Sequence, residues 1–584
     1  MTAHTPATNA FSDPSIPSLK QIREMIELDH SIPYQQRMDM VSAINKAAAL
    51  FNLPLSAIPA SAEFFRQKFA KINHHNVSVS ERRLGNIKSL LMRCLRHAGL
   101  STKLLPYQTP MNAEWKSLYD QLPGRYERTA LSRFIRYCSR QGLRPADVND
   151  EALEGYLSAL NEESLVKEPR TNHQTVCRLW NMMVEVVEGW PPTTVTVPRY
   201  DDRLYSIGDE CLHPNLLAET EAYLSFLGED HLIGGLRRPH RPRSVASVRS
   251  DIRRYLSALY HDGYDVTSLR TLADMVKLDV VKRGLEWFWR RNGNKKSGNI
   301  THIAWTIRCI AVKHLKCDEE TAAAFAEIVA NLKVSKTGLS DKNKKTLAQF
   351  TDPKVVCRLL GLPDVLWDMA NKEGDSKKGC LYAQQAVVIE MLIFAPMRLF
   401  NLQNLRLDRH INWIGDRIHI NVPASEVKNR EDLHFILPAY FSDRIRQYTE
   451  RWRDQFISGT NYYLFPGKPG KPKDASTIRR QLKTYCFKYA GITVTPHQFR
   501  HVAAYLLLGQ KPGHYEVVRK LLAHKSLATT YEHYAGAETS AAIELYDNVI
   551  LGLKRGTVAD TTNMPATSEP LDPFNPLLKA GGYR

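Results

Sequence analysis

The chain has 584 residues, of which 43% are hydrophobic and 24% charged, a composition typical of soluble globular proteins with several domains. No apolar run approaches the roughly 20 residues of a membrane helix, and the first residues lack the basic and apolar segments of a secretory signal. The formal net charge of +18 excludes an acidic chain and predicts a polyanionic partner, most often nucleic acid, with no membrane partner.

The 9 cysteines are scattered along the chain, and no two of them have Cys-x-x-Cys spacing. This spacing argues against a zinc ribbon and against a disulfide framework. We therefore expect a reduced, cytoplasmic setting.

Helical spacing of apolar residues dominates from about residue 19 to about residue 410, and a weak threefold recurrence indicates three small helical bundles in series. The recurrence is irregular, so a solenoid array is not predicted. We place an N-terminal helical domain with a disordered start at 1–110, a second bundle at 111–200, a third bundle at 201–339, a C-terminal domain at 340–555 and a flexible tail at 556–584.

Basic side chains concentrate in the third bundle and in two linker-like stretches, 234–243 and 333–345. Around residues 248–255, arginines alternate with apolar residues, which predicts a helix with one cationic face. Such a face could follow a DNA backbone, or it could be an ordinary solvated surface. The candidate DNA-binding residues are Arg237, Arg238, Arg241, Arg243, Arg249, Arg253, Arg254, Lys344 and Lys345.

Strand patterns enter only after residue 410. Residues 412–422 predict a hairpin around Gly415 and Asp416, and 434–438 predict a third strand, with Lys428 near the turn between the last two strands. Helical spacing resumes from about 441 to 553. The predicted fold class is mainly α with a small antiparallel β-sheet in the C-terminal domain, preceded by several helical bundles.

The stretch Thr495-Pro496-His497-Gln498-Phe499-Arg500-His501 begins a helix with a good N-cap and a proline at the first helical position. His497 and Arg500 then lie on one face of the first turn. Free backbone N–H groups, a guanidinium and an imidazole at one helix end favour a phosphate. The alternative is a capped surface helix with solvated side chains.

Three further pieces accompany this stretch in a fixed order. Arg398 follows a helix that breaks at Pro396, Lys428 lies on the hairpin turn, and the run Leu521-Leu-Ala-His-Lys-Ser-Leu-Ala-Thr-Thr-Tyr-Glu-His-Tyr534 follows downstream. An arginine, a lysine, a His-x-x-Arg, a histidine and a tyrosine across about 140 residues resemble the tyrosine recombinase (phage integrase) family over about residues 340–550. The matching positions are Arg398, Lys428, His497, Arg500, His524 and Tyr534.

The resemblance implies a role for each matching residue. Arg398 and Arg500 would neutralise the charge that develops on a phosphodiester, with His524 adding a hydrogen-bond donor. His497 would help to activate the tyrosine nucleophile, and Lys428 would protonate the leaving 5′ oxygen.

The chain departs from the family pattern at two positions, and the nucleophile has an alternative. Asn401 stands where an acid usually supports the first arginine, and Ala523 stands where glycine is usual. Tyr534 lies ten residues after His524, a spacing found in the family, whereas Tyr531 lies seven after it and is the alternative nucleophile. His501 is expected to support the site or its helix rather than to act directly.

The resemblance also implies what the protein does. It implies a site-specific recombinase that cuts and rejoins double-stranded DNA through a 3′-phosphotyrosyl intermediate, without metal, nucleotide or other cofactor. Residues 340–555 would be the catalytic domain, and 201–339 a core-binding domain of the SAM-like type. Four protomers would assemble on DNA, with possible accessory DNA-bending or directionality proteins, in the integration, excision or transposition of a bacterial mobile element near the nucleoid.

Two other functions remain open from the sequence. The same attack could serve a topoisomerase-like or hairpin-forming enzyme, because relaxation needs only one bound site. The fold could also serve as a DNA-binding regulator without chemistry, for which Asn401 is the one supporting departure.

Overall fold

The computed structural model describes residues 16–100, 110–200, 205–230, 239–334, 338–457 and 459–534, and short helical pieces at 543, 546–547 and 549–551. The chain divides into two compact units, Met1–Lys336 and Thr337–Arg584. Arg237 and Arg238, the predicted disordered start before residue 16 and the predicted tail at 556–584 lie outside the described residues.

The first unit is helical throughout its described part, and its buried side chains form three separate hydrophobic cores. The first core lies among α1 (Leu19–Leu28), α2 (Tyr34–Phe51), α3 (Ala62–Phe69) and α4 (Glu81–His97). The second lies among α5 (Ala113–Asp120), α6 (Arg125–Gln141), α7 (Asp150–Glu162) and α8 (Pro169–Val186). The third lies among α9 (Pro214–Gly228), α10 (Pro242–His261), α11 (Leu272–Met275), α12 (Leu278–Arg291), α13 (Gly298–Arg308) and α14 (Glu319–Leu332).

The cationic face predicted around residues 248–255 lies on α10, where each arginine has an acidic partner in the same unit. Arg249 pairs with Glu221 of α9. Arg253 pairs with Asp209. Arg254 pairs with Asp251, whose buried carboxylate also contacts His302 at 2.5 Å and Thr306 at 3.0 Å. The apolar face of α10 enters the third core, as helical spacing predicts.

The second unit begins with α15 (Asp341–Leu347), α16 (Pro353–Leu360), α17 (Leu362–Glu373), α18 (Lys377–Phe394) and α19 (Leu399–Gln403). The strands β1 (Ile411–Ile414), β2 (Arg417–Val422) and β3 (Leu433–Ile436) follow. The unit continues with α20 (Ala439–Gln447), α21 (Ala475–Ala490), α22 (Pro496–Gln510), α23 (Tyr515–Leu521) and α24 (Leu527–Tyr534).

Helix α18 is the centre of the second unit's core. Almost every side chain from Gly379 to Leu392 is buried, because apolar residues occupy all faces of this helix. The helix ends at Phe394, two residues before Pro396, which disfavours a helical conformation for the residue that precedes it. The chain therefore turns immediately before Arg398.

The three strands form one antiparallel sheet in the order β1-β2-β3. Ile411 pairs with Ile420 and Ile414 with Arg417, so the hairpin turn falls at Gly415 and Asp416. Gly415 has φ 61°, a left-handed conformation that glycine adopts without strain. Alternate residues of β2 are buried, which places one face of the sheet against the core.

The structure confirms the fold class, mainly α with a small antiparallel sheet, and the hairpin lies within one residue of its predicted position. None of the helices in the described ranges is long and apolar enough to cross a membrane.

Candidate functional site

Arg398 lies at the N-cap of α19, immediately after the break that ends α18. Its Nη1 donates a hydrogen bond to Oδ1 of Asn429 over 3.0 Å. Burial lowers the pKa of this guanidinium. Asn401, at the position where an acid would support this arginine, is 3% exposed in α19.

The loop between β2 and β3 carries Lys428, which is exposed, and Asn429 beside it. Asn429 accepts from Arg398 and donates through Nδ2 to the carbonyl oxygen of Ala523, 94 residues further along the chain. The loop therefore connects the first arginine to the segment that precedes His524.

Helix α22 begins as the sequence predicts. Thr495 is the N-cap, Pro496 follows it, and Gln498 completes a capping box with Thr495. Arg500 is 3% exposed and donates from Nη1 to Pro396 O at 2.7 Å and from Nη2 to Leu522 O at 2.5 Å. His497 is exposed at the same end of the helix.

Tyr534, at the end of α24, is 2% exposed, and its hydroxyl lies 2.8 Å from Nδ1 of His501. The tyrosine ring also packs against a small core that includes Leu508 and Val518. Tyr531 is 58% exposed, and its ring contacts Tyr515 with centroids 5.0 Å apart. Of the two candidate nucleophiles, Tyr534 is the one that the fold brings to the histidines.

His524 lies beside Tyr534, with the two rings parallel within 3° and their centroids 6.4 Å apart. Its Nδ1 lies 2.9 Å from Oγ1 of Thr530, a fully buried residue of α24. Ala523, the residue before it, has φ 46°. Glycine adopts this left-handed conformation without strain, so the departure from the family's usual glycine places a strained alanine beside the site.

The electrostatics of the site are those of a cationic pocket. Burial and the neighbouring Arg398 lower the pKa of Arg500 to about 10. Burial, Arg500 and Arg398 lower the pKa of His524 to about 4. The pKa of His497 is also lowered, by partial desolvation of a side chain that keeps one side open to solvent and then by Arg500, Arg398 and Lys428. These histidines are therefore neutral at pH 7, when each can accept a proton or donate one hydrogen bond.

The tyrosine and the second histidine of α22 are shifted in the same environment. Burial raises the pKa of Tyr534 to about 12, and the charge of Arg500 opposes this rise. Burial lowers the pKa of His501 to about 4, and the neighbouring His497, His533, Arg500 and His524 lower it further. The pocket thus disfavours additional positive charge and favours an anion.

A groove of about 360 Å³ opens beside the first turn of α22. Its lining includes Lys342 of α15, Arg479 of α21 and His497. Lys344 and Lys345 are exposed on α15 as well. A basic groove at a helix N-terminus is suited to a polyphosphate backbone.

The structure brings together five of the six positions that match the family motif, and Lys428 lies on the loop that reaches them through Asn429. Of the two histidines of α22, His501 is the one whose ring nitrogen contacts the Tyr534 hydroxyl, and the ring of His497 lies against that of His501 with centroids 5.1 Å apart. In the first unit, Arg241 is the N-cap residue of α10 and Arg243 is exposed.

Sequence reasoning missed two asparagines. Asn429 connects Arg398 to Ala523, and Asn343 of α15 lies 3.1 Å from Nε2 of His501. The one feature of the sequence that could have indicated a role for Asn429 is its position directly after the candidate Lys428. Asn343 and His501 are 158 residues apart, and no local pattern connects them.

Comparison with known proteins finds relatives of the part of the chain that holds the site. Residues 366–540 match the model of the phage integrase family. Tyrosine recombinase XerA of Pyrococcus furiosus is 30% identical over 174 residues, which are 28% of this chain and 57% of that protein. Tyrosine recombinase XerA of Thermococcus kodakarensis is 32% identical over 147 residues, 25% of this chain and 48% of that protein. The chain thus spans about half the length of these curated relatives.

Two solved structures are also similar to the chain. The XerH site-specific recombinase bound to difH substrate, in a pre-cleavage complex, has 16% identity and a TM-score of 0.33, covering 52% of this chain and 79% of that one. A lambda integrase dimer bound to a COC′ core site has 13% identity and a TM-score of 0.31, covering 64% and 90%. The motif positions from Arg398 to Tyr534 lie within residues 366–540, which are similar to the phage integrase family, and both curated relatives are tyrosine recombinases.

Proposed function

We propose that this protein cuts and rejoins DNA strands, with Tyr534 as the nucleophile and a 3′-phosphotyrosyl ester as the intermediate. The observation that carries the proposal is the meeting of Arg398, Arg500, His524 and Tyr534 in one pocket. Within the part of the chain that the structure describes, the two arginines of this pocket have no acidic partner. A scissile phosphate would supply the anion that this pocket favours.

The first step forms one bond and breaks one. The Tyr534 hydroxyl oxygen bonds to phosphorus, and the bond from phosphorus to the 5′ oxygen breaks. Arg398 and Arg500 stabilise the charge on the non-bridging oxygens. We propose that the phenol proton passes to His497, which is neutral at pH 7, and that Lys428 gives a proton to the leaving 5′ oxygen.

The second step reverses the first with a different strand. A 5′-hydroxyl attacks the phosphotyrosyl ester and gives its proton to the neutral amine of Lys428. The bond to Tyr534 breaks, and the tyrosine regains its proton from His497. Because the ester keeps the energy of the original phosphodiester, rejoining needs no external energy source. The protein would therefore exchange strands between two DNA sites.

The wider biological role follows as a proposal from the same chemistry. Strand exchange between two sites requires several active centres, so we propose four protomers on double-stranded DNA. The third helical bundle, with its core at residues 205–332, would be the core-binding domain. Arg243 in this bundle, and Lys344 and Lys345 in the second unit, are exposed and would contact DNA phosphates. Integration, excision or transposition of a mobile element is the setting that we propose.

Trapping the intermediate tests the proposal. The full chain would be incubated, in the presence of a chelator, with duplexes selected by binding to it and nicked so that cleavage releases a short fragment. Denaturing electrophoresis should show a protein–DNA adduct that Tyr534→Phe abolishes and Tyr531→Phe retains. Loss only in Tyr531→Phe would move the nucleophile to Tyr531. No adduct from any version, despite tight binding, would favour a DNA-binding regulator.

A further inference from the structure

The Tyr534 hydroxyl contacts Nδ1 of His501 over 2.8 Å, and which of the two groups donates decides what this histidine does. An imidazole nitrogen that accepts would take up the phenol proton. One that donates would instead stabilise the oxygen as its proton leaves. The hydrogen bonds around His501 settle the direction.

The direction is set at the N-cap of α22. The backbone N–H of Thr495 can only donate, and it donates to Oε1 of Gln498 over 3.0 Å. The amide of Gln498 therefore turns its Nε2 the other way, towards Oγ1 of Thr346 at 2.7 Å and Oδ1 of Asn343 at 3.2 Å. Since an amide nitrogen also only donates, Asn343 presents oxygen to Gln498 and nitrogen to His501.

Nδ2 of Asn343 lies 3.1 Å from Nε2 of His501. Nε2 must then be an unprotonated acceptor, so the neutral imidazole carries its hydrogen on Nδ1, where it faces the tyrosine hydroxyl. We infer that Asn343 is a positioning residue that holds His501 in the Nδ1-protonated tautomer, so that His501 donates to Tyr534 and stabilises the tyrosinate during attack. This inference rests on the proposed function for its catalytic consequence.

This arrangement suits a buried nucleophile. A hydrogen bond to an anionic oxygen is stronger than one to a neutral hydroxyl, so the donor favours loss of the phenol proton. The titratable and charged groups that face His501 are His497, Arg500, His524, His533 and Tyr534. The cationic groups among them disfavour a second proton on the imidazole, so His501 stays a single donor at neutral pH.

Asn343→Asp is the sharpest test, because an aspartate still accepts from Gln498 but cannot donate to His501. Position 343 also lies in the first turn of α15, where an acidic residue favours the helix. His501 in this variant should carry a proton on Nε2. At low pH it becomes an imidazolium that still donates to Tyr534, whereas at high pH Nδ1 turns into an acceptor. Asn371→Asp, exposed on α17, adds the same charge as a control.

Two measurements on the full chain decide the inference. Nitrogen-15 histidine spectra without DNA should place the His501 hydrogen on Nδ1 in the wild type and on Nε2 in Asn343→Asp. Single-turnover cleavage by Asn343→Asp, relative to wild type, should fall roughly tenfold or more as the pH rises from 6 to 9. Asn371→Asp should follow the wild-type pH profile. Asn343→Leu should reduce cleavage at every pH and leave DNA affinity unchanged.

A wild-type His501 with its hydrogen on Nε2 would overturn the inference. A pH profile of cleavage by Asn343→Asp that runs parallel to that of Asn371→Asp would also overturn it. Failure of the proposed function would be seen differently, as the absence of any adduct from the wild type. The tautomer spectra need no DNA, so they decide the role of Asn343 in that case as well.

Discussion

The arginines of α10 and those of the candidate site differ in what compensates their charge. Arg249, Arg253 and Arg254 each pair with a carboxylate of their own unit. Arg398 and Arg500 are bonded to neutral oxygens, an asparagine amide in one case and two backbone carbonyls in the other. Among the described residues, neither site arginine forms an ion pair.

This difference separates a structural cation from a binding one. A guanidinium paired with a carboxylate is already neutralised, so a phosphate gains little by approaching it. A buried guanidinium that has only carbonyl partners keeps its charge and is costly to hold in the fold without an anion. Arrangements that cost stability and shift several pKa values together are typical of functional sites.

The largest change in cleavage rate should come from removing the charge of a site arginine, and removing the charge of an α10 arginine should serve as its control. Arg500→Gln should lower single-turnover DNA cleavage roughly 10²–10³-fold, because a donor to the transition-state charge is lost. Arg249→Gln removes the same charge from α10 and should leave the rate close to that of the wild type. Equal losses in the two variants would contradict the distinction between the two groups of arginines.

The cationic pocket should also make α22 sensitive to acid. The pKa values of His501 and His524 are lowered from 6.5 to about 4 in the folded chain, so between these values the unfolded state binds more protons. The free energy of opening should therefore fall by on the order of a few kcal/mol as the pH drops from about 6.5 to about 4. Hydrogen exchange of α22 amides would measure this fall.

The control for this prediction replaces both histidines. The pH dependence of the free energy of opening should largely disappear in the double variant His501→Gln/His524→Gln. In the wild type, bound DNA should reduce this dependence, because its phosphate supplies an anion to the pocket. A dependence of equal size in the double variant would assign it to other groups.

A smaller loss of cleavage rate is expected from replacing Asn429, which connects Arg398 to the segment before His524. Asn429→Ala should slow cleavage roughly tenfold, because one hydrogen bond to a charged group is lost while the charge itself remains. DNA affinity should stay the same. Asn421→Ala, exposed on β2, is the matched control and should have no effect on the rate.

The smallest effect should follow from relieving the backbone at Ala523. Ala523→Gly removes a β-carbon from a left-handed conformation and should raise the free energy of unfolding by a few tenths to about 1 kcal/mol, with cleavage unchanged. Denaturant unfolding would detect it. A loss of stability would show that the alanine methyl group makes a contact that outweighs the strain.

Local patterns in the sequence predicted the elements that hold the site. The helix that begins at Pro496 was predicted from its cap, and the hairpin at Gly415 from strand alternation and a turn residue. The motif residues, from Arg398 to Tyr534, also follow one another in a recognisable order within a single predicted domain. These features depend on neighbours a few residues apart, which a sequence displays directly.

Long-range contacts could not be predicted in the same way. The sequence displays a cationic face on α10, but not that Glu221, 28 residues upstream, neutralises Arg249. Both His497 and His501 lie in one motif, and which of them reaches Tyr534 depends on how α24 packs against α22. The link from Asn343 to His501 depends on packing across 158 residues.

The central claim is that Arg398 and Arg500 hold their charge for the scissile phosphate. The most direct test compares cleavage of a phosphodiester with cleavage of a neutral methylphosphonate at the scissile position, by wild type and by Arg500→Ala. If the arginine serves the phosphate charge, Arg500→Ala should lose far less activity on the methylphosphonate than on the phosphodiester. An equal loss on both substrates would contradict the claim and leave Arg500 as a residue that only supports the fold.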